Sequence, residues 1–197
     1  MIERLKGRWQ PFALLAVFIL PTAAAMVMVF SDWRPESFTN NGDLVQPAEQ
    51  INPGQWQGVV EPAPVLAGDW LIVVPQREAC GEACRERVDM LNRAQIALDR
   101  DIERVRLVVL QPESLEAPVF EPVPGILNLS AADPVVDRLA VHNGEPMAAH
   151  IVDYRGYHVM RYPQPLDASG LLDDLENLLS LAKEEAERRA LEEAVNE

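Results

Sequence analysis

GDWLIVVPQREACGEAC, residues 68–84, is the stretch that decides the fold. Trp70 to Val74 is a short, unbroken apolar run rich in β-branched residues, which is typical of a strand covered on both faces. Pro75 has no backbone N–H to donate and ends this strand. The two cysteines of the sequence, Cys80 and Cys84, follow directly. They are therefore predicted to lie just beyond the end of a buried strand.

A helical pattern follows the cysteines. From Arg85 onward the apolar residues recur with helical spacing, so that Val88, Leu91 and Leu98 share one face. Val105 to Leu110 is a second strand-like run. Strand, helix and strand at this length indicate a right-handed βαβ unit. The cysteines then lie at the C-terminal edge of a parallel strand and at the start of a helix, where open α/β folds carry chemistry.

The surroundings of the cysteines are compatible with three roles. The N–H groups at a helix start stabilise a thiolate, and Arg77, Arg85 and Arg87 add positive charge, which nearby glutamates oppose. Cα atoms four residues apart in a helix are about 6 Å from each other, so Cys80 and Cys84 can form a redox disulfide or bind one soft metal ion. The third role is a purely structural disulfide. We favour the first two, because closing so short a loop adds little stability.

At these residues the sequence resembles the Sco/SenC family, the thioredoxin-fold copper chaperones of cytochrome c oxidase. The shared features are the strand, the motif Cys80-x-x-x-Cys84 and the helix that follows it. A second match is AAHIVDYRG, residues 148–156, which is similar to the strand and Asp-x-x-Gly hairpin of the family. The resemblance extends roughly from Ser37 to Leu181 and implies an α/β, thioredoxin-like fold.

The resemblance also implies a copper site. The cysteine pair would carry the catalysis and bind the metal, with copper as the cofactor. In the family a proline follows the second cysteine, where this sequence has Arg85, and a distant histidine completes the ligands, at a position that falls on Glu145 here. His142 is the third ligand that best suits Cu(I), ahead of Glu145 and His150. From the residues alone, the three histidines share no regular spacing, and surface or partly buried roles are favoured over metal binding.

Charge and motif content exclude several classes of function. The formal net charge of −14 argues against nucleic acid as a partner, because its phosphates would be repelled. The sequence has no glycine-rich phosphate loop, no Ser-His-Asp order and no paired-carboxylate signature.

The N-terminal region predicts a membrane anchor. Residues 11–30 carry no charge and are long enough to cross a bilayer, with Arg4, Lys6 and Arg8 before them. By the positive-inside rule the N-terminus is cytoplasmic, and the remainder lies on the periplasmic side of the inner membrane. The competing interpretation is a cleaved signal peptide with its small-residue site at residues 23–25. We favour the uncleaved anchor, because the apolar run continues to Phe30.

These features give a domain plan for the whole chain. It consists of a cytoplasmic N-terminus (1–10), a transmembrane helix (11–30), a connector (31–57), a thioredoxin-like domain (58–181) and a charged C-terminal tail (182–197). Beyond the second strand we predict a long loop at residues 111–125, a helix at 133–141, a hairpin with arms at 150–153 and 157–162, and a helix at 167–181. The tail is expected to be a fraying helix or disordered.

The leading prediction is a membrane-anchored assembly factor for a respiratory (cytochrome c) oxidase, acting by thiol–disulfide chemistry or copper delivery. Its partners would be the membrane and an oxidase subunit that carries a copper site. Two alternatives belong to other classes of protein. One is a general periplasmic thiol–disulfide oxidoreductase, and the other is a non-catalytic thioredoxin-fold scaffold at the membrane.

Overall fold

The computed structural model describes residues 19, 20, 26 and 40–196, and the chain divides into two compact units, residues 1–39 and 40–197. Of the predicted transmembrane segment, Ile19, Leu20 and Met26 are described, and all three are helical and exposed. The rest of that segment lies outside the described residues. Within the part of the chain that is described, no helix combines the length and the apolar character needed to cross a membrane. The anchor stays a prediction.

The second unit is built from strands and helices that alternate along the chain. In order they are β1 (Asp43–Gln50), β2 (Gln57–Gly58), β3 (Trp70–Pro75), α1 (Glu82–Ala97), β4 (Val105–Pro112), β5 (Ile126–Ala131), α2 (Asp133–Ala140), β6 (Val141–His142), β7 (Glu145–Val152), β8 (Tyr157–Pro163) and α3 (Ala168–Asn196).

The strand β3 lies in the middle of the sheet. Across residues 40–196 the strand order is β1-β8-β7-β3-β4-β5-β2, and β6 pairs with β7. β3, β4 and β5 are parallel, and β7 runs antiparallel beside β3. Every residue of β3 is buried, as its unbroken apolar run predicts. The prediction of two parallel strands joined through a helix is confirmed.

Helices cover both faces of this sheet. α1 and α3 pack on one face against Ile72 and Val74, and both cysteines belong to this layer. α2 packs on the other face, against Leu71 and Val73. Successive side chains of a strand point to opposite faces, so β3 contributes to both cores. The position of a residue along its strand therefore decides whether it can reach the cysteines.

Several elements differ from the predicted ones, and three of these differences concern α1, β5 and α3. α1 begins at Glu82, before Arg85, so Cys84 lies in the first helical turn. β5 is absent from the prediction, because polar residues interrupt its apolar pattern and it follows a proline-rich loop. α3 continues to Asn196, so the disordered alternative for the tail is wrong as far as this residue. Ion pairs between residues four apart, such as Arg188 and Glu192, are typical of an exposed helix.

Asp174 on α3 holds the beginning of the second unit. Its carboxylate is 2% exposed. It accepts hydrogen bonds from the backbone N–H of Asn41 (3.0 and 2.9 Å), from that of Gly42 (2.8 Å) and from the Tyr162 hydroxyl (2.9 Å). Burial and the neighbouring carboxylate both raise the pKa of Tyr162. These hydrogen bonds replace those that the buried carboxylate would otherwise make with water. They also connect α3 to the residues just before β1.

The Asp-x-x-Gly motif forms the turn between β7 and β8. The Asp153 carboxylate accepts hydrogen bonds from the backbone N–H groups of Arg155 (2.9 Å) and Tyr157 (2.8 Å). Gly156 has φ +86°, a left-handed conformation that side chains disfavour. A Cβ there would also lie 2.9 Å from Cδ of Pro53. The geometry of this turn therefore explains the Asp-x-x-Gly motif without reference to copper.

Candidate functional site

A disulfide joins Cys80 and Cys84 at the junction of β3 and α1. Their Cα atoms are 5.3 Å apart, a distance within the range of disulfides. Both cysteines are nearly buried, Cys80 being 9% and Cys84 6% exposed. The bridge therefore packs into the layer between α1, α3 and the sheet, with little of either side chain open to solvent.

Hydrogen bonds hold the loop that carries Cys80. The Cys80 N–H donates to the carbonyl of Val119 (2.7 Å), and the Arg85 guanidinium donates to the Cys80 carbonyl (3.0 Å). The backbone N–H of Arg85 also donates to the carbonyl of Gly81 (3.0 Å). A proline has no N–H and could not make this last bond. Arg85, in the place of the Sco/SenC proline, thus adds two hydrogen bonds to the cysteine junction.

A cavity of about 660 Å³ opens beside the bridge. Its walls are the loop after β3, the first turn of α1, the segment between α2 and β6, and the start of β7 with Pro146 and Met147. Cys84 lines this cavity, whereas Cys80 does not. Of the two cysteines, Cys84 is therefore the one that a molecule bound in this cavity would contact.

Arg87 gives the cavity a cation that is partly withdrawn from solvent. The side chain is half-buried, and its Nη2 donates to Oε1 of Gln76 at 3.3 Å. Its Nε is buried without a hydrogen-bond partner. Burial lowers the pKa of Arg87, because a low-dielectric surrounding disfavours the charged form. Arg85, Glu86 and Asp89 on the same stretch of α1 are exposed, so Arg87 differs from them in its burial.

His142 and Glu145 lie close to this cavity without lining it. They are paired with each other in the short ladder between β6 and β7, and the cavity wall includes their neighbours Val141 and Pro146. In the described part of the chain, no group of three His, Cys, Asp or Glu side chains is arranged to hold a metal ion. The role of His142 as a copper ligand stays a prediction.

His150 lies on the opposite face of the sheet from the cysteines. Its Nε2 donates to the carbonyl of Leu139 on α2 (2.7 Å), which leaves Nδ1 to accept a hydrogen bond from Nε2 of His158 (2.8 Å). Both histidines are buried, with 1% and 6% exposure. The strand register shifts between His158 and Met160, and this bulge turns His158 toward α2. His150 is therefore excluded as a ligand beside the cysteines.

Comparison with known proteins identifies the domain. Residues 70–182, more than half of the chain, match the family described as transmembrane-like, thioredoxin-like, C-terminal domain. The chain belongs to this family. The match begins at the first residue of β3 and includes the cysteine pair, the cavity and the first half of α3. Among curated proteins, none is similar to this sequence.

Solved structures similar to this thioredoxin-like chain include proteins of the Sco1/SenC family. The apo Sco1 protein from Thermus thermophilus is 17% identical, with a TM-score of 0.53, over 73% of this chain and 99% of that one. Yeast Sco1 with copper bound is 16% identical, with a TM-score of 0.45, over 58% and 80%. A SCO1/SenC family lipoprotein from Bacillus anthracis is 12% identical, with a TM-score of 0.44, over 71% and 96%. The likeness to the Thermus protein confirms the thioredoxin-like fold.

The donors in this thioredoxin-like domain do not form the predicted copper site while the bridge is intact. Each cysteine sulfur is bonded to the other, so neither is a free thiolate. Met147, a residue with a soft thioether donor, lines the cavity together with Cys84. The sequence does not identify Met147 or Gln76 as site residues, because it does not show which way their side chains point. Arg87 had a usable signal, since residues three apart on a helix share a face and Cys84 is three residues earlier.

Proposed function

We propose that this protein is a membrane-anchored thiol–disulfide exchange protein that acts in the assembly of a respiratory oxidase, with its thioredoxin-like domain on the periplasmic side. The proposal is carried by the Cys80–Cys84 bridge, held at the end of a buried parallel strand with Cys84 lining a cavity. A purely structural bridge across so short a loop would add little stability. The cavity supplies a place where a second sulfur can approach.

The exchange proceeds through a mixed disulfide. A substrate thiolate attacks the sulfur of Cys84, the Cys80–Cys84 bond breaks, and Cys80 leaves as a thiolate that takes up a proton. A second substrate thiol then attacks the substrate sulfur of the mixed disulfide and releases Cys84. In this direction the attacking thiols lose two electrons and become a disulfide, while the protein gains two and becomes a dithiol. In the reverse direction the dithiol protein reduces a substrate disulfide and the Cys80–Cys84 bridge forms again. The positive end of the α1 dipole favours each cysteine as a leaving thiolate.

The proposed substrate is the cysteine pair of an oxidase copper site. The motif resemblance to the Sco/SenC family and the fold shared with the Thermus Sco1 protein support this choice. A copper site can take up its metal only when its cysteines are free thiolates. A donor thiol would first reduce the Cys80–Cys84 bridge by the steps above, and the resulting dithiol would then run them in reverse and reduce the cysteine pair of the copper site before copper insertion. In cells that lack the protein we expect reduced oxidase activity, restored by the wild type and not by Cys84→Ser. Restoration by Cys84→Ser would contradict the thiol mechanism.

The redox chemistry can be measured directly. The full chain, purified in detergent, is equilibrated in glutathione buffers of graded potential, and the free thiols are trapped and counted. We expect one two-electron transition between disulfide and dithiol. The single-cysteine variants should show no such transition. A bridge that resists the most reducing buffer would overturn the proposal and leave a structural role.

The orientation needs a separate test. A reporter that is active only in the cytoplasm, fused after Glu197, should be silent if the domain lies outside the cytoplasmic membrane. An active reporter would contradict the proposed topology.

Copper delivery is the second candidate function, and the position of Met147 favours it. Met147 lines the cavity with Cys84, and after reduction its thioether and the two thiolates would make a soft donor set that suits Cu(I) as cargo. His142 could contribute only if the β6–β7 turn moved.

A further inference from the structure

Arg87 is a charged residue beside the Cys80–Cys84 bridge, and it has no role in the exchange steps described above. It follows Cys84 by three residues on α1, so the two side chains emerge on neighbouring positions of one helix face. Both line the same cavity. A group bound at Arg87 would therefore be held close to the sulfur under attack.

Arg87 forms no ion pair with the other charged residues that line the cavity. Among the ion pairs of residues 40–196, none involves Arg87, and its recorded polar contact is the neutral amide of Gln76. Its Nε is buried and has no partner. A half-buried guanidinium in this state has lost hydration without gaining a counter-ion. An anion bound in the cavity would supply this missing counter-ion.

The other charged side chains of the cavity wall are at its exposed rim. Arg77 is 53% exposed and lies 3.5 Å from the carboxylate of Asp137. Glu78 and Glu82 are exposed to solvent, where water screens their charge. The more deeply placed charge is therefore the positive one of Arg87.

We infer that the cavity binds a carboxylate of the substrate next to the sulfur that attacks Cys84. The inference rests on the proposed thiol exchange and names its substrate class, a thiol that carries a carboxylate a few bonds away. The guanidinium fork suits a carboxylate better than other anions of its size, because two parallel N–H donors meet two oxygens. The carboxylate belongs either to a small acidic thiol or to an acidic residue that flanks a protein cysteine.

A charge series of small thiols tests the inference. The disulfide of the full chain in detergent is reduced with 3-mercaptopropionate, 2-mercaptoethanol and cysteamine, which carry negative, zero and positive charge. Each rate constant is divided by that of the same thiol with an uncharged reference disulfide, which removes intrinsic reactivity. We expect the anionic thiol to be favoured over the cationic one by about three- to tenfold at low salt. Added salt should reduce this preference.

Variants locate the preference at Arg87. Arg87→Gln should abolish it, and Arg87→Lys, which keeps the charge and loses the guanidinium fork, should retain part of it. Arg93→Gln is the matched control, because Arg93 lies on the same helix, is exposed and pairs with Asp89. Equal corrected rates for the three thiols, or a preference that survives in Arg87→Gln, would overturn the inference.

Cysteine peptides distinguish the two sources of the carboxylate. A peptide with glutamates beside its cysteine is compared with the matching glutamine peptide, again in wild type and Arg87→Gln. A preference for the glutamate peptide assigns the cavity to an acidic protein segment, and a preference confined to the small thiols assigns it to a small acid. A bridge that no thiol or peptide reduces would instead refute the proposed function itself.

Discussion

Lowering the pH from 7 to 5 should destabilise the fold through the buried pair of His150 and His158. Burial lowers the pKa of His150 to about 3, and the neighbouring His158 and Arg161 oppose a positive charge there as well. Burial also lowers the pKa of His158 to about 4, against the opposing influence of Glu49. His142 and Arg138 are the remaining charged groups that act on the pair, and both disfavour its protonation.

The sign follows from proton binding. Both pKa values are lower in the folded protein than the ordinary value of 6.5, so below that pH the unfolded chain binds more protons. The stability contributed by the neutral pair is complete above about pH 6.5 and is lost as the pH falls toward the folded values. Between pH 7 and pH 5 each histidine should lower the free energy of unfolding by about 2 kcal/mol, and the pair by about 4 kcal/mol.

Urea unfolding at the two pH values measures this loss, followed by the fluorescence of the buried Trp56 and Trp70. Carboxylates also titrate in this range, so the informative quantity is the difference between wild type and variants. His158→Gln should lose about 2 kcal/mol less than the wild type between pH 7 and 5. His142→Gln, at a partly exposed site, should behave like the wild type. An equal loss in the wild type and His158→Gln would refute the reasoning.

Four further substitutions test the fold and the site. Asp174→Ala removes the acceptor for two backbone N–H groups and a tyrosine hydroxyl, and should lower the free energy of unfolding by about 3–5 kcal/mol in urea titrations. Gly156→Ala forces a side chain into a left-handed backbone and against a proline ring, and should cost about 1–3 kcal/mol in the same assay. Met147→Leu should weaken Cu(I) binding by the reduced protein about tenfold in a competition titration, whereas His142→Ala should leave it unchanged.

Matched controls accompany these substitutions. Asp173→Ala removes an exposed carboxylate beside Asp174 and should change stability by less than about 0.5 kcal/mol. A comparable loss in both aspartate variants would contradict the role of the buried carboxylate. Gly54→Ala adds a Cβ that meets no atom within 4 Å, so it should be nearly neutral. Loss of Cu(I) binding in His142→Ala would restore the histidine ligand that the sequence resemblance implies.

The elements around the cysteines are determined by local sequence. Every side chain from Trp70 to Val74 is apolar, which favours a strand that is buried on both faces. This run forms the central strand β3, in which every residue is buried. The helical spacing of Val88 and Leu91 places both in the core. The spacing of the two cysteines brings their Cα atoms within the disulfide range if the chain between them turns as in a helix. These features depend on neighbours within one turn or one strand, which a sequence displays directly.

Contacts between segments that are far apart in the sequence decide which way the side chains of the other site residues point. His158 and Met160 are two residues apart in a strand, so alternation alone would place them on one face. A bulge opposite β7 turns His158 to the α2 face, where it meets His150. Arg87 shares a cavity with Pro146 and Met147 at the start of β7, and no local pattern shows that these distant residues meet there.

The sequence by itself thus determined that two cysteines stand at the junction of a buried strand and a helix. The tertiary structure alone decided what surrounds them, namely Arg87 and Met147 in the cavity and His150 behind the sheet. The physical reason is the range of the interactions. Hydrophobic periodicity is set by residues close together in the chain, whereas strand register and helix docking are set by surfaces that meet only after the whole domain has folded.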